Sequence, residues 1–184
     1  GTGSSVGLYR CDTDLLSHKP NLVFLEFAVN DSIFDYATIT ENYESIIRKI
    51  YTADPTTEII IVYTTTKDIQ EEFLHGKPLQ SRQAHDDLGC YYNTPRLDMG
   101  WILAYEVCRA GGDWTVYLPD LTHPNDAGHE IYANVIRDYF SGALAGDSPS
   151  ALDSKILPPP KNKNIKLSAG LCDAAPVLPA KGWV

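Results

Sequence analysis

Two short stretches of this sequence gather side chains that can move a proton or donate to a developing negative charge. The first is Asp120-Leu121-Thr122-His123-Pro124-Asn125. A three-residue step in a loop lets the Asp120 carboxylate reach the near ring nitrogen of His123, which fixes the tautomer and leaves the far nitrogen free as a general base. Read singly, the same residues also suit a helix-capping aspartate and a surface histidine. The second stretch is Asn30-Asp31, behind an apolar run. An amide placed there can donate to an oxyanion, and the same dipeptide also makes ordinary turns.

Other reactive residues carry blander expectations. Ser4 and Ser5 suit the start of a helix, so neither is assigned as a nucleophile. Glu26 sits within an apolar run and is expected to pair with a buried polar group rather than to catalyse. His123 and His129 are too poorly spaced for a metal pair, and no Cys or His cluster completes a site, so no metal is expected. His18, His75 and His85 are expected at the surface. The four cysteines, Cys11, Cys90, Cys108 and Cys172, contain no C-x-x-C pair and read as ordinary buried thiols, although two disulfides are compatible with the count.

The elements that must position these groups follow from hydrophobic patterning. Leu22 to Val29 is nearly continuous apolar, as in a strand covered on both faces of a parallel sheet. Thr40 can cap a helix whose apolar positions Tyr43, Ile46, Ile47, Ile50 and Tyr51 step by three and four. Glu58 to Tyr63 is β-branched and unbroken, a second buried strand. Helices are expected over Lys77 to Tyr92 and Trp101 to Arg109, a third strand over Trp114 to Leu118, and a last helix with Ile131, Val135, Ile136, Tyr139 and Phe140 on one side. Alternating strands and helices predict an α/β fold: a parallel sheet with helices on both faces. In such sheets ligands bind beyond the carboxyl ends of the strands, where both reactive stretches fall.

Length and charge bound the rest. The 184 residues amount to one domain plus a surplus. The domain is assigned to residues 1–145, and residues 146–184 hold six of the 12 prolines and read as a linker or extended tail, or the start of a further β segment. A formal charge of −9 repels phosphates, so nucleic acid and anionic membranes are set aside as partners. Apolar stretches are of strand length, well short of the roughly 20 residues of a membrane span. The chain opens at Gly1 with no Met and no leader-like segment, so the expected compartment stays open between cytoplasmic and secreted.

Taken together, the motifs resemble those of the SGNH (GDSL-type) hydrolases, serine esterases, lipases and carbohydrate deacetylases on a flavodoxin-like, three-layer α/β/α sheet. Gly1-Thr2-Gly3-Ser4 is similar to the family block that carries an oxyanion-hole glycine, which implies that role for Gly1. Ala28-Val29-Asn30-Asp31 is similar to the block ending in Asn-Asp, with Asn30 as the oxyanion-hole amide and Ala28 where the family usually has Gly. Asp120 to Asn125 is similar to the last block, which implies Asp120 as orienter and His123 as base.

The resemblance covers about residues 1–142 and implies ester chemistry on a small-molecule or carbohydrate ester, without a cofactor. It also carries an expectation about what lies elsewhere. The family's first block, Gly-Asp-Ser, puts the nucleophile after an opening strand upstream of everything here. The N-terminal part of the sheet is therefore expected to be missing, an upstream segment or second chain to complete it, and this chain alone to be inactive. A non-catalytic binding or structural module that kept the crevice is the alternative.

Overall fold

In the computed structural model, which describes residues 2–144 and 155–171, three parallel strands are flanked by helices on both faces. The elements are α1 (Ser4–Asp14), β1 (Leu22–Leu25), α2 (Tyr36–Ala53), β2 (Glu58–Tyr63), α3 (Lys67–Leu74), α4 (Gln80–Tyr91), β3 (Arg96–Asp98), α5 (Met99–Arg109) and α6 (Asp126–Leu144). The sheet order is β1-β2-β3, with Val23 opposite Ile59 and Leu25 opposite Ile61 in the first pair, and Val62 opposite Leu97 in the second.

Strand β2 is apolar throughout because it is covered twice. Ile59, Ile61 and Tyr63 join Val23 and Leu25 in a core with α1, α2 and α4, whereas Ile60 and Val62 face α5, α6, Trp114 and Leu118. Each fully buried isoleucine contributes about 1.5–3 kcal/mol of burial. Strand β1 is covered less completely. Phe24 is 41% exposed on one face, its ring meeting Phe140 edge-on at 6.4 Å. Beside it a groove of about 250 Å³ runs between β1 and α1, lined by Gly7, Cys11, Val23, Phe24, Leu25 and Phe27.

Three expectations change. Trp114 to Leu118 is not a strand: Trp114–Val116 form a 3₁₀ turn, and Leu118 N–H donates to Trp114 O at 2.8 Å. The two buried residues, Trp114 and Leu118, are four apart, a helical spacing, and Asp113 holds the turn by accepting from the N–H and hydroxyl of Thr115. The third strand is instead Arg96–Asp98. Helix α2 starts at Tyr36, capped by Asp35, which accepts from Thr38 N–H; Thr40 lies inside it and bonds back to Ala37 O. Of the cysteines, Cys11 is buried, with its thiol pushed up to about 11 by desolvation, whereas Cys90 and Cys108 are exposed; Cys172 lies outside the described residues.

Residues 155–171 form no strand; they run as irregular chain across α2. No described helix is long and apolar enough to cross a membrane.

Candidate active site

The loop from Pro119 to Asn125 folds around the Asp120 carboxylate. Leu121 adopts φ of +64°, an uncommon value for a non-glycine residue, and this turn brings three donors onto one side chain. Asp120 Oδ1 accepts the N–H of Thr122 at 3.0 Å and of His123 at 2.7 Å, and Oδ2 meets His123 Nδ1 at 2.7 Å. The His123 N–H bond, then its ring bond, then the Thr122 N–H hold Asp120 well below the usual carboxylate range. Asp120 is therefore ionised wherever the site would work. With Nδ1 engaged, the remaining ring nitrogen of His123 is the free one, on a side chain 82% exposed.

Asn125 fastens the loop to its neighbours. Its Nδ2 donates to Val116 O at 2.9 Å, its backbone N–H donates to Tyr117 O, and its Oδ1 accepts from Gly128 N–H in the first turn of α6. Gly128 permits that approach, since a Cβ there would lie 2.7 Å from Tyr117 O.

Asn30 opens a 3₁₀ turn, Asn30–Ile33, five residues beyond the end of β1, and is half-buried. On the other side, Leu121 O accepts from Lys67 N–H, four residues beyond the end of β2. Because β1 and β2 run parallel, Asn30 and the Asp120–His123 loop share the carboxyl rim of the sheet. Gly1 lies outside the described residues. Its neighbour Gly3 packs against the Asn30 turn, with Asn30 O 3.6 Å and Asp31 Oδ1 2.5 Å from where a Cβ would stand.

Two further residues stand out here, neither of which the sequence marked as part of a site. Asp31 has no exposure; its Oδ1 accepts Ser4 N–H at 2.7 Å, and its Oδ2 meets His85 Nε2 at 3.0 Å. His85 is not at the surface but fully buried on α4. The helical repeat of small and apolar residues at Ser81, Ala84 and Leu88 puts position 85 on the inward face, a signal present in the sequence.

Glu26, just past β1, accepts from Ala28 N–H at 3.0 Å. Burial pushes its carboxyl above the ordinary range, partly offset by hydrogen bonds from Thr64 and Ala28. The folded state thus holds this proton more tightly than the unfolded chain does. Stability declines as pH rises from the ordinary carboxylate range through the raised value, and the loss persists above it. Glu26→Gln keeps an oxygen for Ala28 and removes the charge. Thermal melts at about pH 4 and about pH 7 should show the variant gaining on the wild type at the higher pH; a variant equally destabilised at both would refute this.

The profile of the GDSL-like lipase/acylhydrolase family matches residues 1–131. Among solved structures, a two-domain esterase active on acetylated mannans aligns with a TM-score of 0.74 and 30% identity, covering 89% of this chain and 41% of its own. The same esterase co-crystallised with mannopentaose gives 0.71 and 29%, covering 89% and 40%. A protein of Parabacteroides merdae described as a GDSL-like lipase shares the fold at 17% identity and a TM-score of 0.65, covering 76% of this chain and 69% of that one. The chain thus spans about two-fifths of the length of the mannan esterase it matches. No functionally curated protein matches it. The profile match runs from α1 into α6 and takes in both rim segments, and on that footing the chain belongs to the GDSL-like lipase/acylhydrolase family.

Proposed function

We propose that this chain supplies the acid–base and oxyanion parts of an esterase that removes acetyl groups from a carbohydrate, with the acetylated mannan class as substrate. The observation that carries the reading is the 2.7 Å bond between Asp120 Oδ2 and His123 Nδ1 at the carboxyl rim. The substrate class rests on the 30% identity to an esterase active on acetylated mannans.

In the proposed reaction a serine hydroxyl attacks the acetyl carbonyl and His123 Nε2 takes its proton. Asp120 keeps the imidazole in the required tautomer and stabilises the imidazolium that forms. The carbonyl oxygen gains the negative charge and is met by the Asn30 amide and the Gly1 N–H. Collapse breaks the ester bond, the sugar oxygen leaves with the proton from His123, and water then releases acetate from the serine by the same steps. The reaction as written calls on no cofactor.

The serine is assigned to a strand that pairs with the open edge of β1. Two observations support this: the apolar groove along that edge, and the hydrogen bonds of His123, which among the described residues go only to Asp120. Acetate release from acetylated mannan is the test. A polypeptide carrying a Gly-Asp-Ser strand ahead of residue 1 should release acetate, and this chain alone should not. Equal release by the chain alone would remove the external serine; no release by the longer polypeptide would leave a non-catalytic carbohydrate-binding module.

A further inference from the structure

Building on the oxyanion assignment above, we propose that His85 is a positioning residue: through Asp31 it holds the Asn30 turn against the first turn of α1, and so fixes where the Asn30 amide stands. Asp31 stands at the meeting of three segments. Its N–H donates to Phe27 O at 2.8 Å in the loop after β1, Oδ1 accepts from Ser4 at the start of α1, and Oδ2 accepts from His85 on α4. Asn30 is its chain neighbour on one side, and Gly3, which has no room for a Cβ beside Oδ1, precedes Ser4 on the other. Moving this carboxylate therefore moves both segments.

The imidazole is itself held. The Tyr43 ring stacks on it, with centroids 3.8 Å apart and 18° between planes, and Tyr43 in turn meets Phe27 edge-on at 6.3 Å. Phe27 lies against α1, where a Cβ on Gly7 would fall 2.4 Å from the ring. Rings from α4, α2 and the β1 loop thus form one continuous row of contacts ending at α1.

Packing alone does not account for a histidine in this place. With Nε2 donating to Asp31, Nδ1 is left buried with no partner among the described residues; the hydroxyl of Ser4, whose N–H meets the same carboxylate, has none either. An apolar side chain of similar size would avoid that cost. What it could not do is donate to the carboxylate that adjoins Asn30. Groups that orient a reacting shell from behind are retained for such bonds.

Amide hydrogen exchange on the full chain reads the proposal without any turnover. In His85→Leu, the amides of Ser4 and of the Asn30–Ile33 turn should exchange about tenfold faster or more, with those of β2 and α2 changed far less. His85→Gln, whose Nε2 can donate to the same oxygen, should restore most of the protection. If His85→Leu does not fold, Asp31→Asn carries the same expectation. Unchanged amides at Ser4 and the turn, or a uniform rise that Gln does not rescue, would overturn the proposal. In the serine-bearing polypeptide the Leu variant should lose about 10- to 100-fold in kcat with KM little changed; loosened amides with kcat intact would also overturn it. A wild type without turnover defeats the esterase reading alone and leaves the exchange result to decide His85.

Discussion

Replacing His123 with alanine is expected to lower ester hydrolysis by the serine-bearing enzyme on the order of 10⁴-fold or more, because it removes the ring nitrogen that takes the serine proton in the proposed reaction. Asp120→Asn should cost on the order of 10³- to 10⁴-fold. An Asn oxygen in the place of Oδ1 can still accept from the N–H groups of Thr122 and His123, but its amide hydrogens would face His123 Nδ1, reversing the tautomer and placing the proton on the nitrogen that must accept one. Both side chains are exposed, 82% and 59%, so His123→Ala should leave the melting temperature nearly unchanged. Initial rates of acetate release, read beside thermal melts of the same preparations, check the pair. Turnover within a few fold of wild type in a folded His123→Ala protein would remove the general base and the mechanism with it.

What the sequence made legible depended on how locally each feature is determined. β2 could be read because a strand buried on both faces must be apolar at every position, and α6 because its apolar positions recur on one side from Ile131 to Phe140. The Asp120–His123 bond could be read because three residues of chain are enough to form it. Strand β3 hid itself: Arg96-Leu97-Asp98 is three residues long with a charge at each end, and its pairing with Val62 is set by β2, far away in sequence. Trp114 to Leu118 misled for the opposite reason, since β-favouring residue types there are overruled by the Asp113 cap. His85 lay within reach through the burial repeat of α4, but its partner Asp31 is 54 residues away, and only the fold brings them together.

The other large effect belongs to Glu44, and it follows from how α2 is covered. The inward face of this helix is apolar, yet Asn42, Glu44, Ser45 and Lys49 are buried as well, which a helix facing water on its other side would not show. Residues 155–171 supply the cover. Glu44 accepts from Lys161 N–H at 2.6 Å, Asn162 N–H at 2.8 Å and Asn162 Nδ2 at 2.6 Å, and from the Tyr92 hydroxyl. Arg48 donates to Pro158 O, Lys166 N–H donates to Ser45 Oγ, Lys155 pairs with Glu58, and Leu157 and Ala169 pack onto the core beneath. The Pro158-Pro159-Pro160 run stiffens the segment, so little entropy is lost in laying it down.

Glu44 is where these bonds converge, and truncating it strands several donors at once. Glu44→Ala should therefore destabilise the chain by about 3–5 kcal/mol, more than a single lost hydrogen bond would. Glu44→Gln, which keeps one acceptor oxygen but turns an amide toward the remaining donors, should lie between it and the wild type. Urea unfolding midpoints order the three proteins. Trypsin gives an independent reading, since Lys161, Lys163 and Lys166 all lie in the strap: cleavage there should be slow in the wild type and fast in Glu44→Ala under conditions where both remain folded. Equal protection of those lysines in the two proteins would mean that the strap is held by its apolar contacts and not by the Glu44 carboxylate.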